Sequence, residues 1–329
     1  MRPLPLELLA LISLIPFVGI WHELGHALIA PLAGYRVTSL GLGAGRPLIR
    51  RLARDGVALW LGRWPLAGGI CVAVPATLSA RPALFQAGGL LAQVLLAWLL
   101  HRLAPEHWVA QRGEVFNLLV LAWNAVPWRW RDNASDGWYL LARLRGRGWG
   151  RPLLGDRAGL DHLLAFERAV GSPVGAWYAS LGLAWVAHLV GRPEEAVELA
   201  MAPLPRGLRP RDHGLRALAA LLQAAVLGAA GRTDEVVPPD GDAIIGLLAQ
   251  SRLALDRGRP EEVADLLAPI AHATGALGRE VAALRAEAAI ARGAPDLPQA
   301  LLALEAALPG PFLDPVRVAR TLHAAAERP

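Results

Sequence analysis

The sequence predicts a mainly α protein in two parts: a polytopic membrane domain of about three transmembrane helices with a small membrane-associated β-hairpin or sheet, then a soluble α-helical, repeat-like domain. Three observations carry this expectation. Hydrophobic residues make up 54% of the 329-residue chain and mean hydropathy is +0.36, yet the long uncharged runs all lie in the first ~130 residues. Between two of those runs sits a stretch rich in Gly, Arg and β-branched residues. From about residue 150 onward, runs of Ala and Leu interrupted by charges alternate with Gly/Pro turns. The boundary is placed between 149 and 150, giving a membrane domain over 1–149 and an α-helical domain over 150–329.

Composition narrows the function classes. The net charge is +5, but the basic residues, all arginine, are scattered singly with no basic stripe. Nucleic acid is therefore not expected as a partner, and a solvated face or membrane-orientation signal is the better use of the charge. Cys71 is the only cysteine, which excludes an internal disulfide framework and a cysteine zinc cage. The opening apolar stretch lacks an A-x-A-like cleavage site followed by a secreted domain, so it reads as retained in the mature protein.

The first span covers residues 4–33. Pro3 and Pro5 suit a helix start and Gly34 suits its end. About thirty residues exceeds the ~20 needed to cross a bilayer, so tilt or protrusion is expected. Inside it stands His22-Glu23-Leu24-Gly25-His26. Residues four apart share one helix face, so His22 and His26 can point two imidazoles at one metal ion. Glu23, beside the first, is placed to act as general base toward a metal-bound water. By residue frequencies this pattern arises on the order of once in a hundred such chains. A merely solvated polar face fits poorly, because the flanks are apolar and ionisable groups in a hydrocarbon-length segment are costly.

Residues 35–81 differ in kind. Short β-rich runs, 36–40 and 57–61, flank the Gly/Arg-rich stretch 41–47 and predict a small sheet or hairpin against the membrane. Arg63, Pro65, Gly68, Gly69 and Pro75 argue against a span over 57–76. The second span runs from Pro82 to Leu103, with Gly88, Gly89 and Gln93 on its inner stretch. The polar link 104–114 follows. His101 and His107 lie at its edges without ligand spacing to the motif and are set aside. The third span, Val115 to about Trp128, breaks at Pro127, which cannot donate to the helix ladder, and Asn124 is placed to satisfy backbone groups the break frees. Broken backbone at membrane depth needs shelter or a water-filled cavity, and a cavity is what a hydrolytic site requires. Arginines crowd the 35–81 link and the segment after the third span, while the 104–114 link has only Arg112. The positive-inside rule puts the N-terminus outside and the 150–329 domain in the cytoplasm of a multi-pass cell-membrane protein.

In the second half, Gly191-Arg192-Pro193-Glu194-Glu195 recurs as Gly231-Arg232-Thr233-Asp234-Glu235 and as Gly258-Arg259-Pro260-Glu261-Glu262, with Gly293-Ala294-Pro295-Asp296 as a degenerate fourth copy. The spacing brackets the helix-turn-helix period of solenoid repeats. In each copy Gly ends one helix and acids begin the next. Trp177-Tyr178 and Leu181-Gly182 through Trp185 resemble the first helix of a tetratricopeptide unit. A plain α-helical bundle is the alternative. His162, His188, His213, His272 and His323 stand singly.

Residues 1–145 resemble the site-2 protease family of intramembrane zinc metalloproteases. The resemblance rests on H-E-L-G-H in the first span, the β-rich link, the second-span glycines, and Asn124-x-x-Pro127 followed by Asp136-Gly137. It implies Zn²⁺ bound by His22, His26 and Asp136, with Glu23 as catalytic base, and Pro65-Leu66-Ala67-Gly68-Gly69 as an edge strand able to hold an extended substrate. Two departures stand out. The usual spacing from the Asn falls on Asp132. Asp136 is favoured because Gly137 beside it permits close backbone approach, and Asp132 stays open as the rival. Gly89 and Gln93 stand where the family often has Gly-Pro and Asn, and Gln93 can supply the same amide chemistry. The implied function is an intramembrane zinc endopeptidase acting on membrane-embedded protein substrates in the lipid bilayer. The alternative is a non-catalytic membrane scaffold or receptor that recruits a cytoplasmic protein partner through its helical repeats. The sequence leaves substrate, cleavage site, regulation and oligomeric state open.

Overall fold

The computed structural model describes residues 4–76, 81–103, 105–130, 133–144, 157–205, 208, 212–236, 244–273, 275–293, 299 and 302. These form two compact units. One comprises Met1–Trp149 with His162–Ala176 and Pro205–Arg209, and the other Gly150–Asp161, Trp177–Leu204 and Pro210–Pro329.

The first unit is built on helices α1 (Leu4–Ile29), α2 (Pro82–Leu103) and α3 (Trp108–Ala125). Two helical stretches, Ile12–Ile29 and Pro82–Arg102, are long and apolar enough to cross a membrane. The helix corresponding to the expected third span starts at Trp108, ahead of the expected 115. It therefore takes in Gln111, Arg112 and Glu114, and is less apolar than the other two. It ends at Ala125, and Val126 turns extended with φ −67° and ψ 127°. The cause is Pro127, whose ring disfavours helical backbone in the residue before it.

Small residues set the closeness of α1 and α2. A Cβ on Gly25 would lie 2.4 Å from the Gly88 carbonyl oxygen and 2.4 Å from the Ala92 Cβ, so the two backbones touch there. The indole N–H of Trp21 donates to the Ala92 carbonyl at 2.7 Å. The Asn117 amide on α3 donates to the Gln93 carbonyl at 2.7 Å, tying α3 to α2 at a wholly buried position.

The link between α1 and α2 is a sheet of two 18-residue strands, β1 (Tyr35–Leu52) and β2 (Ala58–Pro75). The sequence predicted short strands around a glycine-rich loop. Instead the glycines lie inside the strands. An 18-residue strand drawn straight would reach about 60 Å. Positive φ at Gly43 (90°), Gly45 (80°) and Gly68 (104°) lets each strand bend back on its partner. Ser39–Leu42 consequently faces Gly69–Val72 on one side and Ala58–Leu61 on the other, and Ile49–Leu52 adds beyond Ala58–Leu61. The stretch Gly69–Val72 is left at an edge.

After α3, the short strands β3 (Arg129–Trp130) and β4 (Asn133–Ala134) pair and lead into α4 (Asp136–Leu144). Helix α5 (Arg157–Val170) comes next. Its C-terminal part packs on the sheet: Val170 and Phe166 join Ala58 and Trp60 in one apolar cluster, and Arg50 Nη1 donates to the Ala169 carbonyl at 3.0 Å.

The second unit takes in most of α6 (Pro173–Leu189), then α7 (Pro193–Ala200), α8 (His213–Ala229), α9 (Ile244–Asp256), α10 (Glu262–Leu267) and α11 (Gly275–Ala291). Gly191, Gly231, Gly258 and Gly293 all have φ between 66° and 74° and stand just past helix ends. At the first three the next residue reaches back five positions. Arg192 N–H donates to Ala187 O, Arg232 to Leu227 and Arg259 to Ala254, at 2.8–2.9 Å. This is the Schellman stop, which an αL glycine permits. The arginine of each copy then pairs with a Glu three residues on, Arg192 with Glu195, Arg232 with Glu235 and Arg259 with Glu262. The second copy starts only a 3₁₀ turn, Thr233–Glu235. Residues 294–296 of the fourth lie outside the described residues.

One buried acid in the first unit gives a direct test. Glu167 is fully buried, and burial pushes its carboxyl above the ordinary 4.5 while hydroxyls of Thr38, Ser172 and Ser39 oppose the rise. The folded state thus keeps this proton to higher pH than the unfolded chain. The stability tied to it is complete below the ordinary value and is lost as pH climbs toward the raised one. A Glu167→Gln variant cannot ionise there. Its melting temperature minus that of the wild type, measured in detergent from about pH 4 to about pH 8, should grow with pH and then level off. A difference that is flat across that range would contradict the effect.

Candidate metal centre

Helical spacing puts His22 and His26 one turn apart on α1, and the close α1–α2 contact closes a wall over them. A Cβ on Gly89 would lie 2.4–2.6 Å from the Cε1 and Nε2 atoms of His22 and the Nε2 of His26. Only a residue without a side chain leaves that space. The two Nε2 atoms are 3.1 Å apart.

The other ring nitrogens are held from α2. His26 Nδ1 lies 2.9 Å from the Phe85 carbonyl oxygen, and His22 Nδ1 lies 3.1 Å from Gln93 Oε1. A carbonyl oxygen can only accept, so each Nδ1 carries the proton and donates. Both Nε2 atoms then present lone pairs, and they do so to each other. The third group is Asp136, whose Oδ2 lies 3.2 Å from His22 Nε2 and 3.3 Å from His26 Nε2. That oxygen is buried without a hydrogen-bond partner. In the neutral rings that a metal requires, three ligand atoms thus converge on one point. A tetrahedral zinc ion with bonds of about 2.0–2.1 Å would separate its ligands by about 3.3–3.4 Å. The spacing and the donor set fit such an ion. Among the described residues, this is the only group of three or more His, Cys, Asp or Glu so arranged.

Asp136 reaches the cluster because of how the chain turns after α3. Ser135 Oγ donates to the Val126 carbonyl at 2.7 Å and accepts from the Trp128 and Trp138 backbone N–H groups at 3.1 Å. It is the N-cap of α4, a role worth about 1 kcal/mol, and it bonds the Val126 carbonyl past the end of α3, while the Trp123 carbonyl that Pro127 cannot bond accepts from the Trp128 indole N–H at 2.9 Å. A Cβ on Gly137 would fall 1.9 Å from the Ala125 carbonyl oxygen, so glycine alone lets α4 abut the end of α3 and aim Asp136 inward.

Glu23, next to His22 on α1, also lies against the sheet edge. A Cβ on Gly69 would lie 2.5 Å from Glu23 Cγ, and the Glu23 carboxylate accepts a hydrogen bond from the Cys71 backbone.

The structure therefore brings together His22, Glu23, His26, Asp136, Gly89 and Gln93. Gly137 stands behind Asp136, Asn124 is the penultimate residue of α3, and Pro127 ends that helix; neither Asn124 nor Pro127 is in the cluster. Asp132 lies outside the described residues. His101 makes an exposed pair with Glu114 at 3.4 Å. Sequence reasoning missed Ser135 and Asn117. The first had a signal, a Ser directly before an acidic residue at a helix start. Asn117 had one too, as an amide in the middle of an apolar run.

Comparison with known proteins adds one match. The family model described as Peptidase family M50 fits residues 9–252, well over half of the chain. It passes beyond the expected 1–145 and through α5 to α8, which accords with the packing of Phe166 and Val170 on the sheet. No curated protein and no solved structure matches.

Two variants test the centre. Gly89→Ala should lose stoichiometric zinc, measured by mass spectrometry on purified protein, while keeping its helical content. Gln93→Ala, which frees the His22 ring, should weaken zinc binding by roughly 10–100-fold in a chelator competition. Full zinc retention by both would contradict the assigned wall and support.

Proposed function

Because the chain belongs to peptidase family M50, the site-2 protease family of membrane metallopeptidases, we propose that it is an intramembrane endopeptidase cutting membrane-spanning proteins at a zinc ion held by His22, His26 and Asp136. The convergence of three ligand atoms, two imidazole nitrogens and a carboxylate oxygen, carries this reading. When bound, zinc supplies an acidified water and polarises a carbonyl.

The rest is the work of this chain's residues. Gln93 and the Phe85 carbonyl fix both imidazoles in the tautomer that offers Nε2. Glu23, steadied by the Cys71 backbone, takes a proton from the attacking water and hands it to the leaving amine. The exposed run Leu66–Gly68 and the edge segment Gly69–Val72 accept an extended substrate strand by backbone pairing beside Glu23. The Pro127 break admits water to the site.

The same reading makes α3 a third span and places the N-terminus outside. The sheet and the 150–329 domain then lie in the cytoplasm, where the helices form a tetratricopeptide-like repeat that recruits a protein partner. A scaffold with a purely structural metal would have no use for Glu23, an acid beside the three candidate ligands that is not one of them.

Glu23→Gln should abolish cleavage of a co-expressed membrane substrate, a loss of at least about 100-fold, while zinc stays stoichiometric. Unchanged processing would sink the protease reading. Membrane proteins that accumulate uncut in cells carrying this variant would identify the substrates.

A further inference from the structure

Glu167 has no part in the chemistry above, yet among the described residues it is the most deeply buried acid of the first unit. Its Oε1 accepts from the Thr38 hydroxyl at 2.8 Å and lies 3.4 Å from the Ser39 hydroxyl. Its Oε2 is buried without a hydrogen-bond partner. A Cβ on Gly175 would sit 2.4 Å from Oε2, so the first turn of α6 leaves a seat that only glycine keeps open. Ser172 closes the knot: its hydroxyl donates to the Thr38 carbonyl at 3.1 Å and accepts from the Gly175 N–H at 3.2 Å. Thr38, Ser39 and Ser172 are all within 1% of full burial. Burying an acid with no cationic partner costs several kcal/mol, and an apolar side chain of similar size would hold a helix on a sheet at no such cost. What the carboxylate does that an apolar residue cannot is grip hydroxyls at a fixed point of the strand.

That point matters for the site. Thr38 Oγ1 also lies 3.2 Å from the Val72 carbonyl oxygen. Ser39 pairs with Val72, and Leu40 with Cys71. Val72 and Cys71 belong to the edge segment whose Cys71 backbone bonds Glu23. A short covalent and hydrogen-bonded path thus runs from Glu167 through Thr38 and the edge segment to Glu23.

We propose that Glu167 is a positioning residue for peptide hydrolysis, holding Thr38 and Ser39 so that the edge segment Gly69–Val72 stays in register beside Glu23. This rests on the protease reading for its consequence, though not for its geometry. Loss of the grip lets the edge segment slip, and a misplacement near 1 Å at a reacting group costs up to about 100-fold in rate.

The chain carries its own reporter. Cys71, the sole cysteine, sits half-buried on the edge segment, and burial pushes its thiol well above the usual range, so slow alkylation is expected of the wild type. The experiment uses the full-length protein in detergent with N-ethylmaleimide as probe, alongside zinc content and the kcat and KM for a membrane substrate. Glu167→Ala, and independently Thr38→Val, should alkylate Cys71 about tenfold faster and lower kcat about tenfold, with zinc stoichiometric. Glu167→Gln keeps Oε1 as an acceptor and should stay within about threefold of wild type on both counts. Wild-type alkylation rates in both Glu167→Ala and Thr38→Val would overturn the proposal. So would loss of zinc in both, which would mark Glu167 as a general support of the fold. If Glu23→Gln leaves cleavage intact, the protease reading falls while the alkylation rates still decide whether Glu167 holds the edge.

Discussion

Everything in the first unit is arranged around three lone pairs that point at one another. Two Nε2 atoms and a carboxylate oxygen lie within 3.3 Å of one another, a donor set and spacing that suit a metal cation. Building that set takes an α1–α2 contact close enough for Gly25 and Gly88 backbones to touch, a glycine wall at position 89, two acceptors on α2 to fix the ring tautomers, and a capped helix that carries Asp136 in from far along the chain. Each of these is cheap alone. Their joint requirement explains why polar groups such as Gln93 and Asn117 stand wholly buried among apolar helices.

The sequence exposes those parts of the site that are local. His22, Glu23 and His26 are legible because helical spacing fixes their relative direction whatever surrounds them. Pro127 is legible for the same reason, since its effect reaches one residue back and is seen in the extended Val126. The choice between Asp132 and Asp136 is not a local matter. It depends on where α4 starts, which Ser135 and the abutment of Gly137 on Ala125 decide through atoms nine or more residues away. The strand lengths were hidden by glycine itself: Gly43 and Gly45 read as a loop signal, whereas here their freedom bends a strand that continues. Glu167 was hidden most completely. On an amphipathic helix a lone Glu reads as a solvated face, and nothing in its neighbours announces Thr38, more than a hundred residues earlier.

The helical half shows the complementary case. Its recurring Gly-Arg stops were legible down to the residue because a Schellman turn is made from consecutive backbone groups and one αL glycine. The same motif yields a full helix after Gly191 and a short 3₁₀ turn after Gly231. The stop is written locally, whereas the length of the next helix depends on packing partners elsewhere in the chain. His162–Ala176 belongs to the compact unit that holds the metal centre, because Phe166, Glu167 and Val170 are answered by partners on the sheet.

The order of the donors along the chain has a consequence for biosynthesis. A ribosome that has released α1 and α2 into the bilayer has delivered two imidazoles and their supports, a pair that grips a metal ion weakly. The carboxylate that completes the set is translated more than a hundred residues after His26. The sheet grip supplied by Glu167 comes later still. On the proposed reading, the nascent chain passes through membrane insertion with its metal site unfinished, and completion of that site waits until α4 has been made.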